Sequence, residues 1–164
     1  MIIDELKGIK KQARLALPED DTYLYRLGVA LYGFASINSF MTEIICHIDN
    51  SKNRIALINE TSRNVLDIFR QTLKMLKTQK KHKVIHNIMQ QTADLFEKLN
   101  TQRNDFVHPY PITNKKSEQI LHRRVDDKGK YFEVDNAFLD QFIRELHKVS
   151  SGLYEIRRAV KLII

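Results

Sequence analysis

The sequence predicts an all-α fold: an up-and-down helical bundle of about five helices over residues 1–164, with a short β-hairpin near 119–134. Three observations predict it. Only five Gly and three Pro interrupt 164 residues, which favours long regular elements over a turn-rich sheet. Apolar residues recur at steps of three and four over long stretches. Residues able to cap a helix stand in front of several of those stretches.

In the first stretch Leu6, Ile9, Ala13 and Leu17 keep a rough helical spacing, which Pro18 ends. Asp20 and Asp21 offer a cap for a second helix, from about 22 to 50. Its seam is Leu24, Leu27, Leu31, Phe34, Asn38, Met41, Ile45 and Ile48. Val29, Ile37, Phe40 and Ile44 make further sides apolar, as expected of the bundle's central helix. Asp49-Asn50-Ser51 breaks the pattern, and Thr61 or Ser62 can cap a third helix with the stripe Val65, Phe69, Leu73 and Leu76.

A fourth helix is expected from about 83 to 107, with Ile85, Ile88, Leu95, Leu99 and Phe106 on one stripe. Pro109 pushes the residue before it out of the α region, so His108 marks the helix exit. A polar loop should follow. Gln119 to Val125 and Lys130 to Val134 then flank Asp127-Lys128-Gly129 as a hairpin. Asp135 caps a last helix carrying Phe138, Phe142, Leu146, Val149, Leu153, Ile156 and Val160.

An apolar share of 43% and a charged share of 29% are those of an ordinary globular chain. The single cysteine, Cys46, excludes an intramolecular disulfide and reads as a small core residue in a reducing compartment. No signal peptide or membrane-spanning stretch is read from the pattern, so the expected location is the cytosol. A net charge of +7 suggests a polyanionic partner such as RNA. Lys80, Lys81 and Lys83, with Lys115 and Lys116, are the candidate RNA-binding residues. The first of these runs also reads as a solvated helix end.

No metal-binding spacing, phosphate-cradling glycine loop or nucleophile elbow is present. His82 and His86 share a helix face, but without a nearby carboxylate they read as a surface pair. Neither a cofactor nor a metal is expected.

The residue out of place is Arg103. It continues the apolar stripe of the fourth helix after Phe96 and Leu99 and before Phe106. A guanidinium in line with core residues is costly unless it snorkels, forms an ion pair or faces a cleft. His108 would point about 140° away from Arg103 in a continuing helix, but the proline-enforced exit frees it to converge on the same cleft. An arginine to neutralise phosphate beside a histidine able to move protons suits RNA cleavage through the 2′-hydroxyl, without a metal.

An Arg-x4-His spacing alone is expected roughly 0.4 times by chance in such a chain, so the fuller motif matters. Arg103-Asn104-Asp105-Phe106-Val107-His108-Pro109-Tyr110, at the end of a long helix in a basic bundle, resembles the Arg-x4-6-His signature of HEPN domains. The resemblance implies a metal-independent endoribonuclease of toxin or antiphage type, acting as a homodimer whose two motifs line a shared cleft. It implies that Arg103 stabilises the transition state, His108 performs acid–base catalysis and Asn104 orients the pair or holds substrate. One branch of the family has Arg-x4-His-x-Tyr and a nucleotidyltransferase antitoxin that modifies the tyrosine; Tyr110 stands at that position. Tyr110 equally reads as a loop aromatic covering the helix end. The alternative to catalysis is a HEPN-like module that only binds RNA or protein, or a structural helical subunit that dimerises through its second helix.

Overall fold

A computed structural model of the chain describes residues 2–13, 18–77, 83–124 and 131–161. Six helices and three strands follow one another as α1 (Ile2–Ala13), α2 (Asp21–Ile48), α3 (Arg54–Ile58), α4 (Ser62–Lys77), α5 (Lys83–Val107), β1 (Tyr110–Thr113), β2 (Gln119–Arg124), β3 (Tyr131–Val134) and α6 (Asn136–Lys161). The all-α bundle is therefore present, with a small sheet.

The helix starts are set by short polar side chains. Asp20 Oδ1 accepts from the backbone N–H of Thr22 at 2.9 Å, and Asp135 Oδ1 from that of Phe138 at 2.8 Å. Thr61 Oγ1 accepts from the N–H of Asn64 at 3.2 Å, so Thr61 rather than Ser62 caps α4. Asp49 ends α2: its N–H donates to Ile45 O at 2.8 Å while its carboxylate accepts from the N–H and hydroxyl of Ser51. Helix α3 was not expected. It is a single short turn, capped by Asn53 Oδ1 accepting from Ile55 N–H at 2.8 Å, too short to show an apolar period.

Four long helices form a closed ring in which α2 packs on α4 and α6, and α5 packs on the same two. Their inward stripes make one buried cluster, including Met41, Ile44, Ile45, Leu66, Phe69, Met89, Phe96, Leu99, Phe142, Val149 and Leu153. Each such side chain contributes about 1.5–3 kcal/mol on leaving water. Gly152 lets α6 approach α5 closely, since a Cβ there would collide with Thr92. By length and composition α2 could cross a membrane, contrary to the expectation that no segment could. Here it is one of the four helices of the ring rather than a central one, with Phe34, Ile37, Met41, Ile44 and Ile45 buried against its neighbours.

The covered face of α2 is not quite the seam read from the sequence. Ile37 and Ile44 are fully inside, whereas Leu31 is 41% exposed and Asn38 half-buried. Within that seam, then, α2 is left partly uncovered.

The sheet is antiparallel in the order β1-β2-β3, with Tyr110 opposite His122 and Leu121 opposite Val134. The expected hairpin is β2–β3; its turn, Asp127-Lys128-Gly129, lies outside the described residues. The polar loop expected after Pro109 is corrected in part: it begins as strand β1. Pro111 signals a breaker, but on an edge strand its missing N–H costs no ladder bond. The buried hydroxyl of Tyr23 donates to Val134 O at 2.8 Å and accepts from Leu121 N–H at 3.0 Å, which ties β2 and β3 to the start of α2. Burial pushes this phenol above its ordinary range.

Candidate functional site

A partly covered face of α2 and the end of α5 border a cavity of about 390 Å³. From α2 it is lined by Leu31, Phe34, Ala35, Asn38, Ser39 and Thr42, which recur at helical spacing on one face. Ile58 of α3 and Ser62 of α4 close one side, and Arg103 and Val107 of α5 the other. Leu31, Ile58 and Val107, respectively 41%, 55% and 40% exposed, form an apolar rim.

Arg103 is half-buried in this cavity, with its guanidinium carbon 5.5 Å from the centre of the Phe34 ring. Phe34 is in turn stacked on Phe96, centroids 5.3 Å apart and planes 13° from parallel. The aromatic column explains how a cation can continue an apolar stripe without a carboxylate: the ring face supplies negative potential and the stem lies among apolar atoms. The only polar partner of Arg103 among the described residues is Asn104 Oδ1, at 3.4 Å.

That isolation is unusual here. The other half-buried arginines of described placement each meet a carboxylate: Arg26 with Asp140, Arg70 with Asp94 and Glu97, Arg123 with Asp105, Arg157 with Glu43. Arg103 keeps a full positive charge, shielded from water on one side and open to a cavity. Such a group can hold a phosphate or carboxylate.

His108 leaves the helix as Pro109 dictates. Its backbone N–H still donates to Asn104 O at 3.2 Å, and its side chain is exposed with no hydrogen-bond partner among the described residues. It is not among the residues lining the Arg103 cavity. The motif is thus divided within one chain: Arg103 and Asn104 lie together, and His108 stands just beyond the helix end in solvent. Tyr110 is 55% exposed at the start of β1, its ring 6.1 Å from that of His122.

Between Asn104 and Phe106, Asp105 faces the sheet and accepts from Arg123 Nη1 at 2.9 Å. Burial raises its carboxyl above the ordinary range, with Arg123 opposing that shift. The pair anchors β2 to the motif itself.

Of the basic residues expected to bind RNA, the structure describes the side chains of Lys115 and Lys116 alone. Lys80 and Lys81 lie outside the described residues, and for Lys83 only the helical backbone is described. Lys115 and Lys116 are exposed in the β1–β2 turn. Lys116 borders a different cavity, about 620 Å³, at the start of α2, where Glu19, Asp20, Glu118 and Asp135 make the surroundings hostile to phosphate. The described residues include no group of three or more His, Cys, Asp or Glu placed to hold a metal ion. Cys46 is half-buried against the core, and burial raises its thiol.

Sequence reasoning found the arginine but missed the cavity. Asn38 was visible as a polar interruption of the α2 seam, and that was the available signal. Ser39, Thr42, Ser62 and Arg123 carried none, because their relation to the motif is purely tertiary. Comparison with protein-family models, curated proteins and solved structures gives no match to this chain.

Proposed function

We propose that the chain is a metal-independent endoribonuclease of HEPN type, acting in the cytosol as a toxin or antiphage effector. The observation that carries the reading is Arg103, a half-buried cation with no carboxylate partner among the described residues, open to a cavity and five residues before a solvent-facing histidine. In this reading Arg103 stabilises the charge developing on the scissile phosphate. His108 takes the proton from the RNA 2′-hydroxyl or delivers one to the departing 5′-oxygen. The products are a 2′,3′-cyclic phosphate and a 5′-hydroxyl. Asn104, whose carbonyl accepts from Arg103, orients the guanidinium.

The exposed apolar rim of Leu31, Ile58 and Val107 supports a homodimer whose protomers build a composite cleft from two motifs. The separation of His108 from the Arg103 cavity within one chain points the same way. A nucleotidyltransferase-type antitoxin acting on Tyr110 fits the exposure of that side chain. The same separation favours one second reading, a non-catalytic module whose Arg103 cavity binds RNA or a protein carboxylate.

RNA incubated with the purified chain in excess chelator distinguishes the two. Cleavage to cyclic phosphate ends, lost in both His108→Ala and Arg103→Ala, is the expected result. Salt-sensitive RNA binding without turnover, indifferent to His108→Ala, selects the binding module instead.

A further inference from the structure

We infer that a second groove, between α2 and α6, holds unpaired nucleotides of the RNA strand whose phosphate meets Arg103. This rests on the reading of the chain as one that binds RNA. The groove has a volume of about 450 Å³. Ala35 and Ser39 of α2 line both it and the Arg103 cavity, so the two adjoin along that helix.

Two tyrosine rings border the groove: Tyr32 of α2, 80% exposed, and Tyr154 of α6, 52% exposed. Tyr154 packs on the half-buried Phe40, with centroids 4.9 Å apart and planes at 62°. That contact holds the ring in place while about half of it stays open to solvent. A base stacks on such a ring whatever its identity, because every base has a π-face.

The cations beside the rings suit phosphate. Arg54 of α3 is exposed; its one polar partner among the described residues is Ser39 Oγ, at 3.5 Å, and none of them sets a carboxylate against it. The guanidinium carbon of Arg157 lies 5.9 Å from the centre of the Phe40 ring, and its Nη2 pairs with Glu43 at 3.4 Å. Glu43 is the acid among the lining residues, and Arg157 offsets it, so Arg54 leaves the groove positive. Arg158, exposed one turn beyond Tyr154 on the same face of α6, adds to that charge. A bare anion uses Arg54 alone, and an apolar partner uses only the rings. A duplex hides its base faces from both tyrosines. A single strand, with bases and phosphates in alternation, uses rings and cations together.

The test measures binding of a short labelled 2′-O-methyl oligouridylate by fluorescence anisotropy. That strand has no 2′-hydroxyl to attack, so it stays intact. The full-length chain should bind it more tightly than the same strand paired with oligoadenylate. Tyr32→Ala should weaken single-strand binding about fivefold to a hundredfold and leave duplex binding unchanged. Tyr32→Phe keeps the ring and should bind like wild type, and Tyr154→Phe likewise. Arg54→Ala should make the slope of log affinity against log salt shallower by about 0.7. Single-strand affinity unmoved in folded Tyr32→Ala overturns the groove. So does a dimer that Tyr32→Ala dissociates by light scattering, since the face is then an interface between copies. Arg103 and His108 do not line this groove. A chain that binds the strand here but cuts no RNA therefore defeats the ribonuclease reading alone, and one that cuts RNA with an unchanged KM in Tyr32→Ala defeats the groove alone.

Discussion

Arg70 and Arg103 stand on adjacent helices, both half-buried, and their charges are handled in opposite ways. Arg70 of α4 reaches across to α5 and donates to Asp94 at 2.9 Å and Glu97 at 2.8 Å. Glu97 also accepts from Arg63 at 2.7 Å, so the α4–α5 seam carries a small ion-pair network. The hydrogen bond to Glu97 comes first among the causes that hold Arg70 more firmly protonated than a free arginine. Arg103 has an aromatic ring and one long amide contact. A guanidinium with two carboxylates has little attraction left for a third anion; one resting on a ring keeps nearly all of it. The contrast separates a charge used for structure from a charge available to a ligand.

The sharpest way to break the comparison is to remove each arginine in turn. Arg103→Ala should slow RNA cleavage about 10²–10³-fold, the loss typical of one transition-state donor, with folded stability within about 1 kcal/mol of wild type. Arg70→Ala should leave cleavage untouched. Equal loss of activity in two folded variants would end the distinction. His108→Ala should fall in a similar range, about 10²–10⁴-fold, as expected of an acid–base group.

A second test gives Arg103 what Arg70 already has. Asn104→Asp places a carboxylate beside the guanidinium, and RNA affinity at fixed salt should drop about tenfold. The slope of log affinity against log salt should become shallower by about one phosphate contact. An unchanged slope means that Arg103 does not touch phosphate.

On the structural side, Arg70→Ala should destabilise the chain by about 1 kcal/mol in urea unfolding, since the pair is partly solvated and Glu97 keeps Arg63.

The smallest effect is on acid stability. Arg70 first, then Arg63, hold the Glu97 carboxyl below its ordinary value of 4.5. A carboxylate with a depressed folded pKa stabilises fully above its ordinary value and loses that contribution as pH falls through the folded one. Melting temperature should therefore decline below pH 4.5 more steeply in wild type than in Arg70→Ala.

Much of this was legible beforehand. The limits of α2 and α5, the caps Asp20 and Asp135, and the exit at His108 all follow from neighbours within a few residues. So did the anomaly of Arg103, because a cation on an apolar stripe is visible without knowing what the stripe meets. Strand β1 was not legible: Pro111 is a breaker in isolation and harmless only at an edge. Nor was Arg123, whose partner Asp105 is eighteen residues away and meets it only once β2 lies against α5.

By itself the sequence determined that long amphipathic helices form, where they stop, and that one arginine would lie on an inward-looking stripe. Those outcomes depend on helical periodicity, capping and proline sterics, all of them local. Only the tertiary structure decided which of the several apolar faces of α2 would be covered. With α4, α5 and α6 in place, Ile37 and Ile44 go inside, and the strip from Leu31 to Thr42 is left to line a cavity with Arg103. It also decided that Phe34 rather than a carboxylate would support the guanidinium, and that His108 would stand outside that cavity. The reason is that a helix apolar on several sides specifies burial without specifying a partner; the partner is chosen by the packing of the other three.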